Sequence, residues 1–154
     1  MDDLRGIFGR FPTGVAVVTV EVGGQALGLT VGSLVRLSLE PPLVGFAVSR
    51  HAALHELLRE AGSCGVSLLA EGQETLAEHF ARGVPPIAMW HGVATETGTT
   101  GAPLLAGSLG WLECSVHREV AAGTHTFFLC GVNLVRNGAD ARPLVRVRGA
   151  HASV

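Results

Sequence analysis

The chain has 154 residues, a formal net charge of −2, 47% hydrophobic residues and eleven basic side chains that are all arginine. With a mean hydropathy of +0.40 and a pI near 6.4, it has no basic block for nucleic acid, and no apolar run reaches the roughly 18 residues of a membrane span. The missing lysine also excludes Schiff-base chemistry and leaves any phosphate to arginine, hydroxyls or backbone N–H groups.

The N-terminal MDDLRGIFGRF opens on two aspartates and lacks the apolar core of a signal peptide. Leu4, Ile7 and Phe8 share one side of a predicted helix over 2–9, which Pro12 stops. Residues 13–22 are rich in Val and Thr and read as a strand, and Gly23-Gly24 is a hairpin turn to a returning strand over 25–36. Glu40-Pro41-Pro42 breaks the chain before a third strand over 43–49. The period then changes. Leu54, Leu57, Leu58 and Ala61 predict a helix over 51–61, with Gly62 as its stop.

A fourth strand is expected over 64–70 and a short amphipathic helix over 72–81, carrying Leu76 and Phe80. Residues 83–107 have no periodicity and are long enough for a lid or a subunit-crossing loop. Two long strands follow, over 108–120 and 125–136, around an Ala121–Thr124 turn, with a final strand over 143–148. The sum is a mainly β chain: six or seven antiparallel strands with two or three short helices, in one domain over 1–154. Short connections favour an antiparallel barrel over a βαβ sheet, and neither GxGxxG nor GxxxxGK[ST] occurs. The apolar bias calls for a core, a ligand cavity or a subunit interface, and a homodimer suits it.

Strand alternation places Gly28, Thr30 and Gly32 on one face, where small residues leave room for a flat ring or for a closely packed strand. Ser49-Arg50 stands where a strand meets a helix. It reads either as an anion site or as a helix cap beside a solvated charge. His51 and His55 are four apart on a helix, without the further ligands a zinc site needs. Cys64, Cys114 and Cys130 are widely separated and form no CxxC, so they read as buried, reduced thiols of a cytoplasmic protein. No GxSxG elbow or acid–base pair emerges, and the candidate acids Glu56, Glu60, Glu71, Glu74 and Glu78 fall on or beside predicted helix faces. A bound cofactor carrying its own chemistry is the better-supported reading.

The segments FPTGVAVVTV (11–20), GLTVGSLVRLSLEPPLVGFAVSR (28–50), CGVSLLAEGQETLAEHFA (64–81), GAPLLAGSLGWLECSV (101–116) and GTHTFFLCGV (123–132) together resemble the flavin reductase-like family. The resemblance implies an antiparallel Greek-key split barrel that binds FMN or FAD. It further implies an NAD(P)H:flavin oxidoreductase, using NADH or NADPH, that supplies reduced flavin to a partner monooxygenase. It places Thr30, Val31, Gly32 and Ser33 along the flavin ring and ribityl chain. Val48, Ser49 and Arg50 fall near the ribityl and phosphate, Ser67 and Phe80 beside the ring, and His125, the catalytic candidate, toward the nicotinamide.

Three segments depart from the family pattern. Gly32-Ser33 replaces the usual Ser-Ser, and VPPIAMWHGV (84–93) replaces an acidic-Lys-Phe segment. In the C-terminal PLVRVRGAHASV, Arg146 replaces an aromatic and His151 stands where a ring usually does. Trp90 and His91 are expected to reach toward a partner's pocket. These departures keep a second reading open: a non-redox split-barrel protein that binds flavin or another small molecule.

Overall fold

The computed structural model describes residues 3–82 and 84–154; position 2 of the predicted first helix and position 83 of the long loop lie outside them. Helix α1 (Leu4–Gly9) is capped by Asp3, whose carboxylate accepts the Arg5 N–H at 3.1 Å. The predicted strand over 13–22 divides at Val15 into β1 (Thr13–Gly14) and β2 (Ala16–Val22). The strand predicted over 25–36 divides into β3 (Gln25–Val31) and β4 (Val35–Leu39), with Gly32–Leu34 between them. Each division has the same cause: the chain leaves one ladder for another, and residue periodicity carries no mark of the partner.

Strand β5 (Pro42–Ser49), helix α2 (Ala53–Ala61), strand β6 (Ser63–Leu68) and helix α3 (Glu74–Ala81) follow close to their expected positions. Gly62 ends α2 at φ +68°, a left-handed conformation glycine adopts without strain. The segment predicted as loop contains a single helical turn, α4 (Pro86–Met89), and two short paired strands, β7 (Thr95–Glu96) and β8 (Leu104–Leu105). Two thirteen-residue strands, β9 (Gly110–Ala122) and β10 (His125–Asn137), form the longest hairpin. The predicted final strand is β11 (Leu144–Val147), and a strand the periodicity did not reveal, β12 (Ala150–Ser153), returns along it.

Seven strands form one antiparallel sheet in the order β3-β2-β6-β9-β10-β5-β4. A smaller sheet, β1-β11-β12, lies beside it. The large sheet curls around Val18, Val20, Phe46, Val66 and Phe128, all completely buried, with Phe46 and Phe128 stacked at 6.1 Å. The barrel does not close with a ladder. β3 pairs with β2 on one edge and with no strand on the other. β4 pairs with β5 only as far as Gly45. A seam is left between the free edge of β3 and the β5 edge beyond Gly45.

Cys64, Cys114 and Cys130 meet in the core as unpaired, buried thiols. Hydrogen bonding with Cys114 and then Cys130, together with burial, holds the Cys64 thiol well above its ordinary range, which keeps it protonated and unreactive.

Candidate functional site

The seam holds a cavity of about 410 Å³, lined by Leu29, Thr30, Val31, Gly32 and Ser33 on one side and by Ala47, Ser49, Ala52 and His125 on the other. Six of the residues expected at a flavin therefore share one cavity: Thr30, Val31, Gly32, Ser33, Ser49 and His125. Leu29, Ala47 and Ala52 were not anticipated. They are small or apolar, and only the approach of β5 and α2 to β3 makes them walls.

The hydroxyls in the seam already have backbone partners. Thr30 Oγ1 donates to the Ala77 carbonyl at 2.6 Å and so ties β3 to α3. Ser33 Oγ accepts the Ala47 N–H at 2.9 Å, spanning the seam where no ladder forms. Ser49 Oγ accepts the His51 N–H at 3.2 Å, which leaves its own O–H free to donate.

The backbone edge supplies the open donors. Gly28 N–H points away from β2 and meets the Met89 sulfur at 3.2 Å. Because successive N–H groups of a strand alternate between its two edges, that of Thr30 points the same way, along the free edge at the cavity. The Gly32 N–H, just past the end of β3, has no backbone partner among the described residues. A Cβ at Gly32 would lie 3.0 Å from Thr13 Oγ1, so the glycine keeps this wall thin. Ala52 is the N-terminal cap of α2 and has no side-chain cap bond, so first-turn N–H groups of a nine-residue helix remain available at the cavity wall.

His125 stands opposite Ser49 in the β10–β5 ladder, at the exposed rim. Its Nδ1 is 2.9 Å from Thr124 Oγ1. Nε2 has no protein partner among the described residues.

An adjoining cavity of about 350 Å³ shares Leu29 and Ala52 with the first and is also lined by His51, Phe80, Arg82 and Met89. Phe80 is fully buried there, packed on Gly28 and at 5.1 Å from Trp90. Trp90 does not extend outward as expected. Its Nε1–H donates to the Ala26 carbonyl at 2.8 Å and its ring packs on Phe80, because apolar burial beside β3 is available within the same chain. His79 Nε2 lies 2.6 Å from the Met89 carbonyl, so the 84–93 segment is pinned over this second cavity.

The remaining expected residues lie elsewhere. Val48 is fully buried in the core behind the seam. Ser67 is fully buried, and its Oγ accepts the Leu105 N–H at 3.0 Å. The Arg50 side chain faces a separate groove with His55, Glu56, Arg59 and Glu119. There His55 Nε2 lies 2.7 Å from Thr126 Oγ1. The Glu56 carboxyl is held below its ordinary range, first by its hydrogen bond with His55 and then by Arg59. His151, in β12 opposite Arg146, lies against α3 with Nδ1 4.0 Å from Glu78. Arg82 was missed because nothing in the spacing after α3 turns it toward the α2 start.

The model of the flavin reductase like domain matches residues 8–154. The chain is 44% identical over 129 residues to an NADH-dependent FAD reductase of Streptomyces globisporus, covering 82% of this chain and 70% of that protein. It is 41% identical over 136 residues to the reductase component of a 4-hydroxyphenylacetate 3-monooxygenase of Thermus thermophilus, covering 88% and 85%. Its fold superposes on the flavin reductase component of a bacterial two-component tryptophan halogenase with a TM-score of 0.92 at 36% identity, covering 98% of this chain and 96% of the other. Family model, relatives and split-barrel architecture agree, and the chain belongs to the flavin reductase like family.

Proposed function

We infer that residues 1–154 act as one flavin reductase domain, transferring hydride from NADH or NADPH to FMN or FAD and passing reduced flavin to a partner monooxygenase. The observation that carries this reading is the seam: open strand-edge donors at Thr30 and Gly32, small walls at Ala47 and Ala52, and His125 at the rim. Flat edges, free N–H groups and an uncapped helix start suit a planar ring bearing carbonyls and a phosphate. Flavin, when bound, supplies the redox chemistry by accepting hydride from reduced nicotinamide.

The protein's share is alignment and electrostatics rather than acid–base catalysis. The Thr30 N–H is fixed by the β2–β3 ladder, so it would stabilise charge on an electron-accepting ring without reorganising, and the Gly32 N–H just beyond β3 adds a second donor. Ser33 holds the facing β5 edge at a set distance. The Ser49 O–H and the first turn of α2 take the phosphate, and Arg50 adds charge from the neighbouring groove. Phe80 and Val48 buttress the two walls, and Ser67 holds the Leu105 backbone behind them. His125 offers Nε2 to the nicotinamide at the open side, and His151 shields the α3 side of the site.

We also place the protein as a homodimer in the cytoplasm. β4 is an edge strand, and its Val35, Leu37 and Leu39 are 42%, 45% and 73% exposed on either side of a bulge. A second copy would cover them. Three buried, unpaired cysteines suit a reducing compartment.

The test is oxidation of NADH and of NADPH with FMN, FAD and riboflavin in turn. Flavin-dependent oxidation is expected; none with any flavin, alongside tight flavin binding, would favour the non-redox reading instead. Light scattering should give twice the 16.0 kDa chain mass, and a monomer would overturn the dimer.

A further inference from the structure

We propose that a groove between α1 and the β11–β12 turn binds the phosphates of a nucleoside diphosphate, with Phe8 as the surface on which its base stacks. The groove measures about 600 Å³ and is lined by Arg5, Phe8, Arg10, Arg146 and Arg148, with the backbone of Gly6, Gly9 and Gly149. It gathers four of the eleven basic residues of an acidic chain into one concavity.

None of the four guanidinium groups is hydrogen-bonded or ion-paired to another described residue. The described salt bridges engage only Arg59 and Arg136 among the arginines. The neighbouring carboxylate, Asp3, is engaged as the cap of α1. Four like charges with no ion pair among the described residues surround one cavity, and an oligoanion relieves their mutual repulsion. Guanidinium forks match phosphate oxygens two at a time.

The turn itself favours a purpose for its side chain. Arg148 is the non-glycine residue at positive φ, +52°, followed by Gly149 at +75°. Asn or Gly would occupy that first position with less strain. Its N–H donates to the Gly9 carbonyl at 2.6 Å, locking the turn to the end of α1 and bringing the two arginine pairs together. Phe8 is 61% exposed and stands edge-on to Phe11 at 6.5 Å, leaving a ring face free.

The groove adjoins the seam. Arg146 stands directly opposite Thr13 in the β1–β11 ladder, and Thr13 Oγ1 abuts Gly32, a wall of the flavin cavity. A dinucleotide with its reactive ring in the seam can therefore lay its other half in the groove. The identity of that dinucleotide, FAD or NAD(P)H, rests on the flavin reductase reading; anion binding by the groove does not.

The experiment uses ADP as probe, titrated calorimetrically at low salt into the full chain and into the Arg10→Gln/Arg148→Asn double variant. Asn tolerates the positive φ, so the turn is kept. ADP should bind the wild type, weaken as salt is raised, and lose on the order of tenfold affinity per guanidinium removed. Phe8→Ala, with the arginines intact, should weaken ADP but not inorganic pyrophosphate.

FMN binding should be equal in all three proteins, because FMN lacks the second nucleotide; loss of FMN binding from the wild type as well would sink the flavin reading and leave the ADP result standing. A raised KM for FAD relative to FMN assigns the groove to the flavin's adenylate, and a raised KM for NADH or NADPH with FMN as acceptor assigns it to the nicotinamide's. No ADP binding by the wild type, or equal affinity in the double variant, overturns the proposal.

Discussion

The closed wall of the barrel and its open seam use the same polar residue types to opposite ends. On the closed wall, Thr19 Oγ1 donates to the Pro103 carbonyl at 2.6 Å, and Ser67 Oγ accepts from Leu105. Glu113, 1% exposed, accepts the N–H groups of Thr99 and Thr100 at 2.6 and 3.0 Å. Every one of these groups is buried and secures the long 94–107 crossing to the sheet. At the seam the hydroxyls are also engaged, but the backbone N–H groups of Thr30 and Gly32 are not. A binding site in this fold is marked less by its hydroxyls than by a strand edge that lacks a partner.

The comparison can be broken most sharply at Glu113. Glu113→Ala removes the buried carboxylate that holds the N–H groups of exposed Thr99 and half-buried Thr100 and should cost about 2 kcal/mol in denaturant unfolding, while the folded fraction keeps its flavin affinity. Weakened flavin binding at unchanged stability would erase the distinction between wall and seam. His125→Ala should do the reverse, lowering kcat roughly tenfold with little change in Tm. Ser33→Ala removes a side chain that hydrogen-bonds across the seam. A loss of about 1 kcal/mol in stability is expected together with weaker flavin binding measured by fluorescence.

Gly32→Ser sharpens the picture of the edge. The added Cβ meets Thr13 Oγ1 at 3.0 Å, so the hydroxyl should tighten flavin a few-fold only when Thr13→Ala makes room. Tightening by the single variant alone would show that the wall is softer than its packing implies. The smallest effect is expected at Glu56, whose carboxyl is held below its ordinary value of 4.5 by His55 and then Arg59. A depressed carboxyl stabilises the fold above its unfolded pKa, and that contribution fades as pH falls through the folded value. Glu56→Gln should therefore lower Tm slightly at pH 7, and the gap should narrow as pH falls from 4.5 and close once it is beneath the depressed folded value.

Much of this was legible in the order of residues. The 2.0 and 3.6 periods located β2, β5, β6, α2 and α3, and Gly62 marked the end of α2. The segment 28–33 was singled out by its small residues and does line a cavity. Ser67 and Arg50 show the limit. Ser67 carries a hydroxyl on a strand, as Ser33 does, yet Leu105 claims it from a loop 38 residues away. Arg50 adjoins Ser49 in the chain, but the tight turn into α2 sends its side chain to a different groove.

What the sequence determined by itself was the position of the main strands and of α2 and α3, and the absence of competing chemistries: no lysine, no nucleophile elbow and thiols set in apolar strands. These follow from local propensity and composition, which neighbouring residues decide among themselves. Only the tertiary structure decided which strand edge stays unpaired. β4 stops pairing at Gly45, and β3 turns away at Gly32 toward Thr13. Whether a given N–H is a ladder bond or an open donor depends on a strand distant in the chain, and periodicity carries no record of that partner.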